Sequence, residues 1–99
     1  MAKVRKFEYV HSDGFKTKPQ YLFMCPGCGY EHAVALKSDG GPHDFNMDYD
    51  KPTFLPSLLQ NFSPGRTCHS FIKDGMIQFL NDSWHKLAGQ TVELPEIKE

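Results

Sequence analysis

The chain has 99 residues, 39% of them hydrophobic and 13% aromatic, and a formal net charge of −1. That composition excludes a chain disordered in bulk and a general polyanion binder. The length sets a single domain, 1–99, whose modest core stands to gain from a metal or a disulfide. No apolar run approaches a membrane span, and Met1–Val10 lacks the apolar core of a signal peptide. A cytoplasmic location is therefore expected, where thiols stay reduced.

Lys3–Val10 reads as a strand, His11-Ser12-Asp13-Gly14 as a turn and Phe15–Met24 as a returning strand, with Pro19 implying an edge or a bulge. This N-terminal hairpin, 3–24, is basic: Lys3, Arg5, Lys6, Lys16 and Lys18 stand against Glu8 and Asp13. The plain reading is one solvated face; the sharper one is a small patch for a phosphate backbone or an acidic partner. Cys25-Pro26-Gly27-Cys28-Gly29 follows as a knuckle, and His32–Lys37 leaves it as a third strand.

Ser38–Asp50 is polar and rich in turn residues, a long loop with room for one short strand near Phe45–Met47. Its alternating acids lack the central Gly and terminal Glu of an EF-hand. Pro52–Ser57 is rigid and extended and leads into a strand over Leu58–Phe62. Thr67–Lys73 and Met76–Asn81 form a hairpin about Asp74-Gly75, a primed two-residue turn. That turn sets Lys73 opposite Met76, Ile72 opposite Ile77, Ser70 opposite Phe79 and Cys68 opposite Asn81. Cys68, Ser70 and Ile72 share one face, and His69 and Phe71 the other. Both faces carry apolar residues, so the hairpin is expected to be covered on both sides. Asn81-Asp82-Ser83 can cap a short helical turn over Trp84–Ala88, Thr91–Leu94 is a last strand, and 95–99 is a polar tail. The fold expected is a mainly β, zinc-stapled antiparallel domain: a zinc-ribbon-like knuckle plus hairpins, one short helical turn, and a metal-binding region over 25–94.

Two thiols two residues apart, with Pro and Gly between them, can close on one soft or borderline ion. Thioredoxin-like redox use requires a βαβ context that is absent here. Cys68 is the only other thiol and the natural third ligand. For the fourth, His69 points away from Cys68 in a regular strand. His85 can return from beyond the hairpin, and His32 can curl back from four residues after Cys28. The reading is zinc on Cys25, Cys28, Cys68 and His85, with His32 and then His69 as alternatives. The bland reading makes Cys68 a small core residue and the histidines structural.

The order CPGCGxxH, then PTFxPS, then CHSFIxDGxIxFLxDSxHxLAGQTV, over Tyr21–Pro95, resembles a family of small uncharacterised proteins of tailed phages and prophages. The resemblance implies that Cys25, Cys28, His32, Cys68, His69 and His85 belong to the family motif, and implies a bacterial host cytoplasm. His32, His69, Thr53, Ser57 and Asp82 also fall in motif segments, as support for the ligands or as a site of their own. No Gly-x-Ser-x-Gly, HExxH or phosphate-cradling loop is present, so no motif points to catalysis and no catalytic residue is assigned.

The leading expectation is an accessory module that binds a host or phage protein, with nucleic acid a weaker partner. The alternatives are a hydrolase using an open zinc position with Glu31, His69 or Asp82 as acid/base, and a structural component of a virion or oligomer.

Overall fold

A computed structural model describes residues 2–8, 10, 12–15, 18–61 and 64–97. It is mainly β and forms two antiparallel sheets. The first contains β1 (Arg5–Phe7), β2 (Gln20–Met24) and β3 (Glu31–Val34), in the order β1-β2-β3. The second contains β4 (Asp44–Phe45), β5 (Phe54–Asn61), β6 (Thr67–Lys73), β7 (Met76–Phe79) and β8 (Thr91–Glu93), in chain order across the sheet. The turn expected at 11–14 falls partly outside the described residues, as do Lys16 of the basic set and Phe62 of the predicted strand.

Period-two alternation explains the packing. Tyr21 and Phe23 of β2, His32 and Val34 of β3, Ser70 and Ile72 of β6, and Ile77 and Phe79 of β7 all point inward and are buried. Phe23 of the first sheet lies 6.5 Å from Phe54 of the second, and Phe54 stacks on Phe45 at 4.5 Å. Each fully buried Phe, Leu or Ile in this shared core contributes about 1.5–3 kcal/mol. Leu94 is buried as well, and Ile97 donates its amide to Ala2 O at 2.8 Å, so the polar tail starts tied to the N-terminal segment.

The β6–β7 hairpin has the expected register, Lys73↔Met76, Ile72↔Ile77 and Ser70↔Phe79, and Asp74 and Gly75 hold the two positive φ angles (51° and 80°) that a primed turn requires. Two expectations change. Phe71 and Met76 are 40% and 39% exposed, so among the described residues the hairpin is covered chiefly on its inner face, where the smaller sheet packs. Trp84–Ala88 is a run of turns, and the helical turn lies instead at Lys37–Asp39. His85 Nδ1 captures the Leu87 amide at 3.3 Å, which diverts that donor from a helical ladder.

The β5–β6 ladder is irregular. Phe54 pairs with Ile72 and Leu58 with Ser70, so Leu55, Pro56 and Ser57 together stand opposite Phe71 alone. Pro56 has no N–H to give to a ladder, which favours a bulge at this point.

Candidate functional site

Two groups of side chains lie on opposite faces of β6. On the inner face, ligand atoms of Cys25, Cys28, His32 and Cys68 all lie within 4.8 Å of one another. Cys25 follows β2, Cys28 closes the knuckle, His32 is on β3 and Cys68 on β6, so the cluster joins the two sheets. The knuckle is built locally: Gly29 donates to Cys25 O at 2.9 Å from a φ of 83°, a conformation that favours glycine, and the Cys28 amide points at Cys25 Sγ at 3.3 Å. Trp84 Nε1 donates to Cys28 Sγ at 3.4 Å.

The donor set fits a metal ion. The Sγ atoms of Cys25 and Cys68 are 3.9 Å apart. Two thiolates at about 2.3 Å from one tetrahedral ion stand at a similar separation, roughly 3.8 Å, whereas a disulfide requires about 2.05 Å. Most of the cluster is buried, with Cys25, Cys68 and His32 at 0%, 1% and 2% exposure and Cys28 half-buried. The Cys25 thiol is pushed down to about 4, first by the hydrogen bond from Cys68 and further by His32 and the Cys28 amide. Cys68 is pushed up by that same bond and by burial.

His32 stands in this group where the sequence reading preferred His85. His85 Nε2 is 3.4 Å from Cys68 Sγ, and its ring lies edge-on to Phe79 with centroids 4.4 Å apart. Because His85 Nδ1 accepts the Leu87 amide, the neutral ring carries its proton on Nε2 and donates it toward Cys68. The ring also lies over Gly27, where any Cβ would overlap it. Gly27→Ala should therefore dislodge His85 and lower the melting temperature by several degrees, read by thermal unfolding beside wild type.

On the outer face the structure brings together Ser57, His69 and Asp82, of which the sequence reading weighed His69 as an alternative metal ligand and His69 or Asp82 as acid/base at an open zinc. His69 Nε2 is 3.1 Å from Ser57 Oγ, and His69 Nδ1 is 3.1 Å from Asp82 Oδ2. Ser57 comes from the β5 bulge, His69 from β6 and Asp82 from the turn after β7. Ser83 ties that turn to β6: its hydroxyl donates to His69 O at 3.0 Å and accepts the His69 amide at 3.1 Å. His43 Nε2 holds the Ser57 carbonyl at 3.2 Å. The His69 side chain is 24% exposed and that of Asp82 58%, so the site opens to solvent. An ionised carboxylate can only accept, so it pairs with an Nδ1–H; in the neutral ring of that tautomer Nε2 faces the serine hydroxyl as an acceptor. The sequence signal for this set was that Ser57, His69 and Asp82 lay in motif segments and that His69 or Asp82 could serve as acid/base; nothing local joined Ser57 to them.

The remaining sequence candidates have other partners. Glu31 receives Arg5 at 3.0 and 3.1 Å. Lys3 is buried and paired with Glu93 at 2.8 Å, and Lys6 pairs with Glu8 at 3.2 Å. Lys18 is exposed.

Fold and site together define a small β protein with a Cys/His metal-type cluster behind one strand and a serine–histidine–aspartate arrangement in front of it. A family model described as "Bacterial ubiquitination-like system serine protease (BubE)" matches residues 2–80, and the chain belongs to that family. The match includes Ser57 and His69 and stops just short of Asp82; nothing in it bears on phage origin. Searches of curated proteins and of solved structures each found no match.

Proposed function

We propose that this protein is a serine protease of a bacterial ubiquitination-like system, with Ser57 as nucleophile, His69 as general base and acid, and Asp82 as the group that orients His69. The observation that carries the reading is the continuous chain from Ser57 Oγ through both ring nitrogens of His69 to the Asp82 carboxylate, each link 3.1 Å. The family description supports the same chemistry.

In this reading Ser57 Oγ attacks an acyl carbonyl while His69 Nε2 takes the hydroxyl proton. Asp82 stabilises the imidazolium that forms and keeps Nδ1 protonated throughout. The tetrahedral adduct collapses, Nε2 returns the proton to the leaving amine or alcohol, and the acyl group stays on Ser57. Water then attacks the acyl-enzyme by the same proton path, which frees the acid and restores the serine. The expected protein partner enters here as the substrate.

The test is labelling of the full-length protein with a fluorophosphonate probe, followed by peptide mass spectrometry. Ser57 is expected to carry the adduct, and His69→Ala to suppress it. An unlabelled Ser57 in folded protein, or equal labelling of other serines, overturns the reading.

Zinc is the proposed ion, on Cys25, Cys28, Cys68 and His32, with His85 as a hydrogen-bond donor to Cys68. Four protein ligands, three of them buried and Cys28 half-buried, would fill a tetrahedral site, which supports a structural ion over the open-zinc hydrolase. The ion would supply a cross-link between the sheets, and the acid/base chemistry would stay with His69.

A further inference from the structure

We infer that the apolar groove beside Phe71 seats a large apolar side chain of the substrate on the acyl side of the scissile bond; this deepens the serine-protease reading and rests on it. The groove has a volume of about 620 Å³ and is lined by Leu55, Phe71 and Met76, with Lys73, Gln78 and Thr91 among its other walls. Leu55 is 56% exposed, Phe71 40% and Met76 39%, so a contiguous apolar strip stays open to solvent.

Its position ties it to the catalytic chain. Phe71 follows His69 by two residues on β6 and shares its face. Leu55, Pro56 and Ser57 all stand opposite Phe71, so the groove begins at the nucleophile's own bulge. A side chain on the acyl α-carbon remains tethered next to Ser57 Oγ through both half-reactions. The leaving group instead departs toward His69 Nε2, which must protonate it. Lys73 and Asp74, both in the lining, have opposite signs, so the groove offers no net charge to select an acidic or basic side chain. Selection falls to apolar contact, and an extended acyl segment with Leu, Met or Phe at this position is the occupant that fits.

The experiment compares p-nitrophenyl esters of N-acyl Gly, Leu, Phe, Lys and Glu, with Ser57→Ala as the blank. Wild type is expected to show kcat/KM for the Leu or Phe ester about tenfold to a hundredfold above the Gly ester. Met76→Glu and, independently, Leu55→Glu are expected to pull that ratio toward one and raise the relative rate on the Lys ester. Ser57-dependent turnover without the preference, or with a preference that neither variant moves, overturns this inference and leaves the serine reading standing. Absence of Ser57-dependent turnover on every ester, in protein whose fold is verified, overturns both.

Discussion

Ser57→Ala is expected to lower kcat/KM by at least about a thousandfold on any substrate the protein hydrolyses, and His69→Ala by a similar factor. The reason is that the hydroxyl and the imidazole act as one unit: without the base the serine is a poor nucleophile, and without the serine the base has nothing to activate. The double variant should therefore be no worse than either single one. Asp82→Asn should cost about 10³–10⁴, because an amide in place of the carboxylate turns a proton donor toward Nδ1 and disfavours the tautomer with a free Nε2. These variants should leave the fold in place. Ser57 and His69 are half-buried and Asp82 is exposed, and loss of one such hydrogen bond costs about 0.5–1.5 kcal/mol. Thermal unfolding and metal content are the controls. Ser57→Ala protein that retains wild-type turnover would remove the proposal.

Removing the metal should have the second large effect, on stability first and on activity through it. Cys68→Ser, or chelation, would take away the cross-link that an ion on Cys25, Cys28, His32 and Cys68 would form between the two sheets. Structural zinc sites bind with about 10–16 kcal/mol in small peptides, while whole domains are stable by only about 5–15 kcal/mol. The metal-free chain is therefore expected to lose its cooperative unfolding transition or to melt tens of degrees lower. The serine site should fail with it, since His69 is the next residue after Cys68 on the strand that such an ion would anchor. His32→Ala should abolish stoichiometric zinc. His85→Ala should keep the ion at an affinity about 10–100-fold weaker, as expected for loss of an outer hydrogen bond to a ligand. Elemental analysis beside calorimetry reads all three variants. Stoichiometric zinc in His32→Ala together with its loss in His85→Ala would exchange the two histidines and restore the ligand set first expected from the sequence. Full zinc and an unchanged melting temperature in Cys68→Ser would refute the cluster as a metal centre.

The legible and illegible parts of this protein divide along a physical line. The knuckle was legible because its chemistry is local: Cys25 and Cys28 are three positions apart, and Gly29 takes the positive φ that lets the chain turn under the sulfurs. The β6–β7 register was legible because Asp74-Gly75 permits essentially one hairpin, and alternation then assigns every side chain to a face. The same alternation correctly separated Cys68 from His69.

The choice between His32 and His85 was less accessible. The structure gathers His32 with the three thiols within 4.8 Å and sets His85 Nε2 3.4 Å from Cys68 Sγ, distances fixed by how β3 and the turn after β7 pack against β6. The coverage of the hairpin also misled, because apolar residues on both faces read as a buried element whether or not a second layer exists to cover them.

The sequence by itself determined a small β domain, three thiols that gather in one cluster, and the hairpin that aims Cys68 inward and His69 outward. Those features follow from turn chemistry and period-two alternation over a few adjacent residues. Only the tertiary structure decided that His69 meets Ser57 and Asp82. Its partners lie 12 and 13 positions away along the chain, Ser57 on a neighbouring strand and Asp82 in a returning turn. Their meeting depends on a three-against-one bulge opposite Phe71 and on the Ser83 clamp that folds the turn back onto β6. Side-chain contacts across strands are set by which strand lies beside which and by the irregularities between them, and no local pattern encodes either.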